Sequence, residues 1–412
     1  MKNMEKISDI IKSLEVLKHD NTLKVLFLTQ LLPVNLILYY LLVGYTYLYS
    51  RNLVDIGIIT ATSISGIPSF LLPFSSTINN LVKNLKRYDI TIISAQVVTL
   101  IFIIILVLTN SSFIPLYGLV QGIFISLSIL REPVNLYLLK SVNLDFNKLR
   151  KIEGILSSLR QVNQTVIVIT IIMLENIYGL IIFDVGFAIV LLFMLIIILL
   201  KLSLHYPKAE KSLTFLFIDQ IKSLQKINTT VKLFLMSDYV LYPIITAVSP
   251  IIFYLLGVTN MYNISYSIYL VLLSISMILA TYISNVLSFD TFGNYVLFYR
   301  VTIAMVIVLL SLTVSLFPVF MLGVFAILVL ENSSFIYLNS FLVTSIEKEK
   351  IRTIIPIMEF IFSLVYSVAV IVISEIGAEI GGLSVLKYVG IIGVIVYVTL
   401  FFKTKNIRVT LK

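Results

Sequence analysis

Twelve long apolar segments, joined by short connections that carry positive charge on one side only, constrain this chain more than any other feature. The segments run roughly over 25–48, 55–82, 89–109, 115–139, 152–174 and 178–200, then 233–257, 263–287, 299–317, 319–344, 353–374 and 384–402. Most exceed the ~20 apolar residues that a helix needs to cross the hydrocarbon core of a bilayer. Of the 30 lysines and arginines, 26 fall at the two chain ends, in every second connection or, for Arg300, at the adjoining segment end. Only Arg51 and Lys387 lie on the opposite side, and Arg131 and Arg160 lie inside segments. Connections rich in lysine and arginine stay on the cytoplasmic side, which places both termini there, as an even number of crossings requires. The chain therefore reads as a multi-pass protein of the cell (plasma) membrane.

Composition agrees and removes several classes of function. With 59% hydrophobic and 12% charged residues, no soluble globule has enough interior to hide the apolar surface. The net charge of +9 sits in short connections beside the segment ends, where it meets anionic lipid head groups rather than nucleic acid. Cysteine is absent, and the two histidines, His19 and His205, stand at no metal-ligand spacing. Phosphate-binding loops of the Walker type are also missing, so a self-contained ATP-driven pump is excluded. No enzyme motif is present, and no catalytic residue, metal or cofactor is expected.

The layout is symmetric. Residues 1–24 form a charged preface whose Ile7, Ile10, Ile11, Leu14 and Leu17 make one apolar helical face, the pattern of a helix lying on the inner leaflet. Segments 25–200 and 233–402 form two sets of six, separated by a cytoplasmic linker at 201–232 and followed by a tail at 403–412. An offset of 202 aligns Lys148, Leu149, Arg150 and Ile152 with Lys350, Ile351, Arg352 and Ile354. Two parallel six-helix repeats are the expectation.

Here the chain resembles the major facilitator superfamily, in particular its drug- and siderophore-exporter-like branch. The family pattern G-x-L-x-D-R-x-G-R-K between spans 2 and 3 appears as Asn79-Asn-Leu-Val-Lys-Asn-Leu-Lys-Arg87, in which Leu81 and Arg87 match. Lys83 stands in place of the aspartate. The corresponding connection of the second half, Asp290-Thr-Phe-Gly293, keeps the D-x-x-G core. In span 4, Gln121 and Gly122 match the family's R-x-x-Q-G, without its arginine. The resemblance implies an all-α integral membrane fold of twelve transmembrane helices in two pseudo-symmetric six-helix bundles. It also implies Arg87, Asp290 and Gly293 as gating-loop residues, and spans 1, 4, 7 and 10 around a central cavity.

Ionisable side chains deep in a span cost at least ~2.5–3.5 kcal/mol each to insert, so they are functional candidates. Arg131, Glu132, Arg160 and Glu331 meet that description, with Gln164 one turn beyond Arg160 and Asn332 beside Glu331. Asn35 and Tyr39 in span 1, and Tyr242 before Pro243 in span 7, add polar groups next to helix-breaking prolines that line cavities more often than lipid. The alternative for each is structural: Arg160 reaching toward the inner interface, and the polar groups bonding helix to helix. The expected function is secondary transport of a small, amphiphilic solute by alternating access, outward and coupled to an ion or proton gradient. A lipid-linked oligosaccharide flippase is the alternative. The expected partners are the solute, the bilayer and protons, with the protein acting as a monomer.

Overall fold

The computed structural model describes residues 21–30, 53–64, 85–108, 114–141, 146–178, 181–206, 227–258 and 262–409. Asn35, Tyr39, residues 1–20 of the expected surface helix, residues 207–226 of the linker and residues 79–84 of the first-half motif lie outside them. The first half supplies α1 (Asn21–Gln30), α2 (Leu53–Ile64), α3 (Leu85–Leu108), α4 (Ile114–Ser141), α5 (Phe146–Tyr178) and α6 (Ile181–Ser203). In the second half, α7 (Thr229–Met236), α8 (Tyr242–Thr246) and α9 (Ser249–Val258) share one broken span, followed by α10 (Tyr262–Val286). Then come α11 (Phe292–Tyr295), α12 (Thr302–Thr313), α13 (Phe317–Ser345), α14 (Lys348–Ile380) and α15 (Gly382–Thr404). Among the described residues, six helical runs are long and apolar enough to cross a membrane. The one β pairing among them is a single bridge, Thr291 to Arg408.

Internal repetition is visible in the helix bounds. α5 and α14 are both 33 residues long, starting at Phe146 and Lys348, the same offset of 202 that aligns the two sequences. α6 and α15 are both 23 residues long. Gly381, at φ 89°, makes the turn from α14 into α15 in a backbone region that residues with a Cβ rarely adopt.

Two antiparallel helix pairs make the largest contacts between the halves, α5 with α10 and α2 with α14. Both crossings are built on a glycine. A Cβ on Gly154 would lie 2.5 Å from Thr281 Cγ2, and one on Gly57 would lie 2.5 Å from Ser374 Cβ. Helices in lipid gain no hydrophobic drive from meeting each other, so close backbone approach and interhelical hydrogen bonds hold them. Thr281 Oγ1 accordingly donates to the Gly154 carbonyl at 3.0 Å, Ser158 Oγ pairs with Thr281 Oγ1 at 2.8 Å, and Ser367 Oγ donates to the Ala61 carbonyl at 3.1 Å. At the start of α5, Arg150 donates to the carbonyls of Leu287 (2.7 Å) and Asn285 (2.9 Å), which the end of α10 leaves without helical partners. Leu192, Leu199, Leu312, Leu322, Ile395 and Phe402 stay exposed on the outer faces, as lipid contact requires.

Candidate functional site

The span that carries Tyr242 is not a regular helix. Ser237–Leu241 form a π turn, and the N–H of Tyr242 reaches back to the carbonyl of Ser237. Pro243 follows and has no N–H to give, so the helix reorganises at this point rather than continuing its regular ladder. A second π turn, Val296–Val301, interrupts the span of α11 and α12. Such turns are rare and cluster at functional sites. Each one here carries one member of a buried ion pair, Asp238 in the first and Arg300 in the second.

Asp238 is 5% exposed and Arg300 2%. Asp238 Oδ1 accepts from Arg300 Nη2 and from the Tyr295 hydroxyl at 2.8 Å. Arg300 Nη2 also donates to the Tyr295 oxygen at 3.1 Å. The guanidinium carbon lies over the Tyr242 ring, 3.8 Å from its centre, which supplies a cation–π contact in a desolvated setting. From the third side comes Glu331 of α13, whose carboxyl faces the Tyr242 hydroxyl within electrostatic reach of Arg300. Tyr397 of α15 donates to the Ser237 carbonyl at 3.4 Å and closes the cluster. Five polar atoms in it, Ser237 Oγ, Asp238 Oδ2, Tyr242 Oη, Arg300 Nε and Arg300 Nη1, are buried with no hydrogen-bond partner in the protein. A buried polar atom left alone costs about 1–3 kcal/mol, so this is a place built for water or for polar groups of a ligand.

Beside it lies a cavity of about 80 Å³, lined by Thr246, Ser249, Ile303, Ile307, Val324 and Glu331 among others. That volume holds two or so waters at about 30 Å³ each. Ser249 is anchored by a 2.6 Å hydrogen bond to Tyr366 of α14. Glu331 is the acid of the lining.

The first half has its own network. Asp89, 3% exposed on α3, accepts from Arg131 Nε of α4 at 2.8 Å, from Lys201 Nζ of α6 at 2.5 Å and from the Tyr206 hydroxyl at 2.6 Å. Lys201 also donates to Thr29 Oγ1 of α1 at 2.7 Å. Burial first, and the Asp89 carboxylate second, push the Tyr206 hydroxyl well above the ordinary tyrosine range and keep it a donor. Three helices and Tyr206, three residues past α6, are thus tied to one carboxylate, and α1 joins them through Lys201. This network is nearly saturated, with only Arg131 Nη2 unpartnered.

Of the residues singled out from sequence, Glu331 and Tyr242 meet in the second-half cluster, and Arg131 sits in the first-half network. Both charged side chains turn into their own half rather than toward the other half, because their partners are there. Asn332 is half-buried and donates to Ser276 Oγ of α10 at 3.1 Å. Arg160 is half-exposed on α5, and Arg87 is exposed on the first turn of α3. Glu132 and Gln164 lie on α4 and α5, and their side chains are outside the described set. Asp290 is exposed and Gly293 buried.

Asp89, Lys201 and Arg300 escaped sequence reasoning for one reason. The expected spans 89–109 and 299–317 have Asp89 and Arg300 as their first and second residues, and 178–200 stops just short of Lys201, so all three read as charges at the membrane boundary. The helices instead run from Leu85, from Phe292 and to Ser203, which carries these charges inside. Opposite charges on neighbouring spans, Asp89 against Arg131 and Asp238 against Arg300, were the signal available.

No family profile and no curated protein sequence matches the chain. Solved structures do. The human organic anion transporter MFSD10 superposes with a TM-score of 0.65 at 11% identity, covering 93% of this chain and 98% of that one. The E. coli fucose:proton symporter FucP gives 0.62 at 12% identity over 92% and 97%. The nucleoside transporter NupG gives 0.58 at 13% over 93% and 98%. With nearly full coverage on both sides, the chain has the all-α, integral-membrane fold of the major facilitator superfamily transporters, the fold class expected from its sequence.

Proposed function

We propose that the chain is a secondary transporter that carries a small solute across the cell membrane by alternating access, with residues 25–200 and 233–402 as the two rocking bodies. Two features support rocking. The halves meet most extensively through antiparallel helix pairs, and each pair crosses at a glycine that brings the backbones to close range. The positive-inside count supports an orientation with both termini, the 201–232 linker and the 403–412 tail in the cytoplasm.

The observation that carries coupling is the charge balance around Arg300. Asp238 and Glu331 are two carboxyls beside one guanidinium, so the buried cluster has one negative charge more than it can pair. With so little water in reach, the surplus is met most cheaply by a proton. With Arg300 held by Asp238, that proton belongs on Glu331, at the edge of the cavity. Arg300 rests on a Tyr242 ring that stabilises its charge whichever carboxyl it faces. Exchange of Arg300 from Asp238 to Glu331 on proton loss would link proton binding to motion of two spans that already bend at π turns.

We infer outward transport of an amphiphilic solute. The resemblance to the drug- and siderophore-exporter-like branch supports direction, and the aromatic residues of the broken seventh span support the solute class. The neighbours named above take an organic anion, fucose and nucleosides, so they share no solute that transfers here. Uptake and counterflow in proteoliposomes, with and without a pH gradient, test the reading. Glu331→Gln should abolish gradient-driven accumulation and leave solute exchange measurable. If Glu331→Gln accumulates solute with an unchanged pH response, Glu331 is not the coupling group.

A further inference from the structure

The D-x-x-G core of the second-half connection does something that its place in a gating motif does not explain. Gly293 has no left-handed backbone; among the described glycines only Gly381 does. Conformational freedom is therefore not why a glycine stands there. A Cβ at Gly293 would lie 2.6 Å from Lys405 Cα and 3.0 Å from Lys405 N, against backbone that cannot rotate away. The glycine makes room for the C-terminal tail.

After α15 the chain turns back through the Ile407 N–H to Thr404 carbonyl bond, 2.9 Å, and runs antiparallel to residues 290–292. Phe292 N–H donates to the Ile407 carbonyl at 2.9 Å, and Val409 N–H donates to the Asp290 carbonyl at 2.9 Å. Thr291 and Arg408 form the bridge between them. Ile407 and Val409 pack on the core of the second half, while Lys405 and Arg408 face outward. What the tail holds is the beginning of a span. Thr291 caps α11, Phe292 and Tyr295 are fully buried against Phe234 at 4.8 and 4.7 Å, and the π turn with Arg300 follows at once.

We propose that residues 405–409 are a regulatory strap. Docked, the tail fixes the first turns of the span that carries Arg300; released, it frees those turns to move. Docking stands on the geometry alone, and its effect on transport rests on the function proposed above.

The absence of cysteine makes the test direct. Thr291 and Arg408 are a non-hydrogen-bonded antiparallel pair, whose Cα atoms sit about 4.5 Å apart, within disulfide range. In the full-length double variant Thr291→Cys/Arg408→Cys, oxidation should link the tail in nearly every molecule. Amide exchange over 292–301 should be at least about tenfold slower oxidised than reduced, and about tenfold faster than wild type when the chain ends at Thr404. Gly293→Ala should push the tail off and reproduce the faster exchange without truncation. Solute exchange should fall about tenfold on oxidation and return on reduction. Failure of the cysteines to link, or equal amide exchange in linked, free and truncated forms, overturns docking. Slowed amide exchange with unchanged solute exchange overturns regulation. A protein that moves no solute in any form counts against the transport reading, and amide exchange still decides the strap.

Discussion

Replacing Asp89 with asparagine keeps the size and one acceptor oxygen but removes the charge that Arg131 and Lys201 share. Both cations are buried, at 4% and 0% exposure, so water cannot replace the carboxylate. With charge centres about 4 Å apart, each attraction amounts to roughly 4 kcal/mol at an effective dielectric of about 20. Against that loss stands the relief of several kcal/mol of carboxylate desolvation. The net expectation is about 3–5 kcal/mol of lost stability, the usual result of removing one partner from a buried pair. Unfolding of the purified protein in mixed micelles by a denaturing detergent measures it. The network carries one negative and two positive charges in the native chain, and two positive charges after Asp89→Asn. Adding Lys201→Met returns the net charge to its native +1, and the double variant should recover more than half of the loss. Lys201→Met alone leaves the Asp89–Arg131 pair intact and should cost less than Asp89→Asn. A loss below about 1 kcal/mol for Asp89→Asn, or no recovery in the double variant, would refute the view that Asp89 is the charge that holds these helices together.

Two further outcomes follow from the contact between the halves and from the charge asymmetry. Gly154→Val should force α5 and α10 apart at Thr281, costing about 1–3 kcal/mol of closure by overpacking. A cysteine at Met277 should then label faster with a water-soluble maleimide; unchanged labelling would mean that this crossing does not close a path. Reporter fusions at 140–150, at 205–228 and after 403 should report cytoplasm, and those at 110–113 and 258–262 the outside; a reporter at 205–228 found outside would sink the six-plus-six arrangement.

Much of this protein follows from its sequence because a bilayer leaves the backbone few choices. A long apolar run must become a helix, and loop lysines and arginines orient it, so class, span number and the offset of 202 between the halves are legible without coordinates. Glu331 and Arg131 are legible too, as rare charges in apolar surroundings. Their partners are not. Hydropathy treats Asp89, Lys201 and Arg300 as segment ends, because it scores each residue against lipid and not against an opposite charge on a neighbouring helix. Only tertiary packing puts Asp89 among three donors from α4, α6 and Tyr206, and lays Arg300 on the Tyr242 ring between two carboxyls. The π turns at Ser237–Leu241 and Val296–Val301 have no sequence pattern beyond Pro243, since they depend on where the side chains must reach. Gly293 shows the same division. The sequence marks it as one residue of a motif, and the antiparallel return of the tail across it, more than a hundred residues later, supplies the physical reason that it has no side chain.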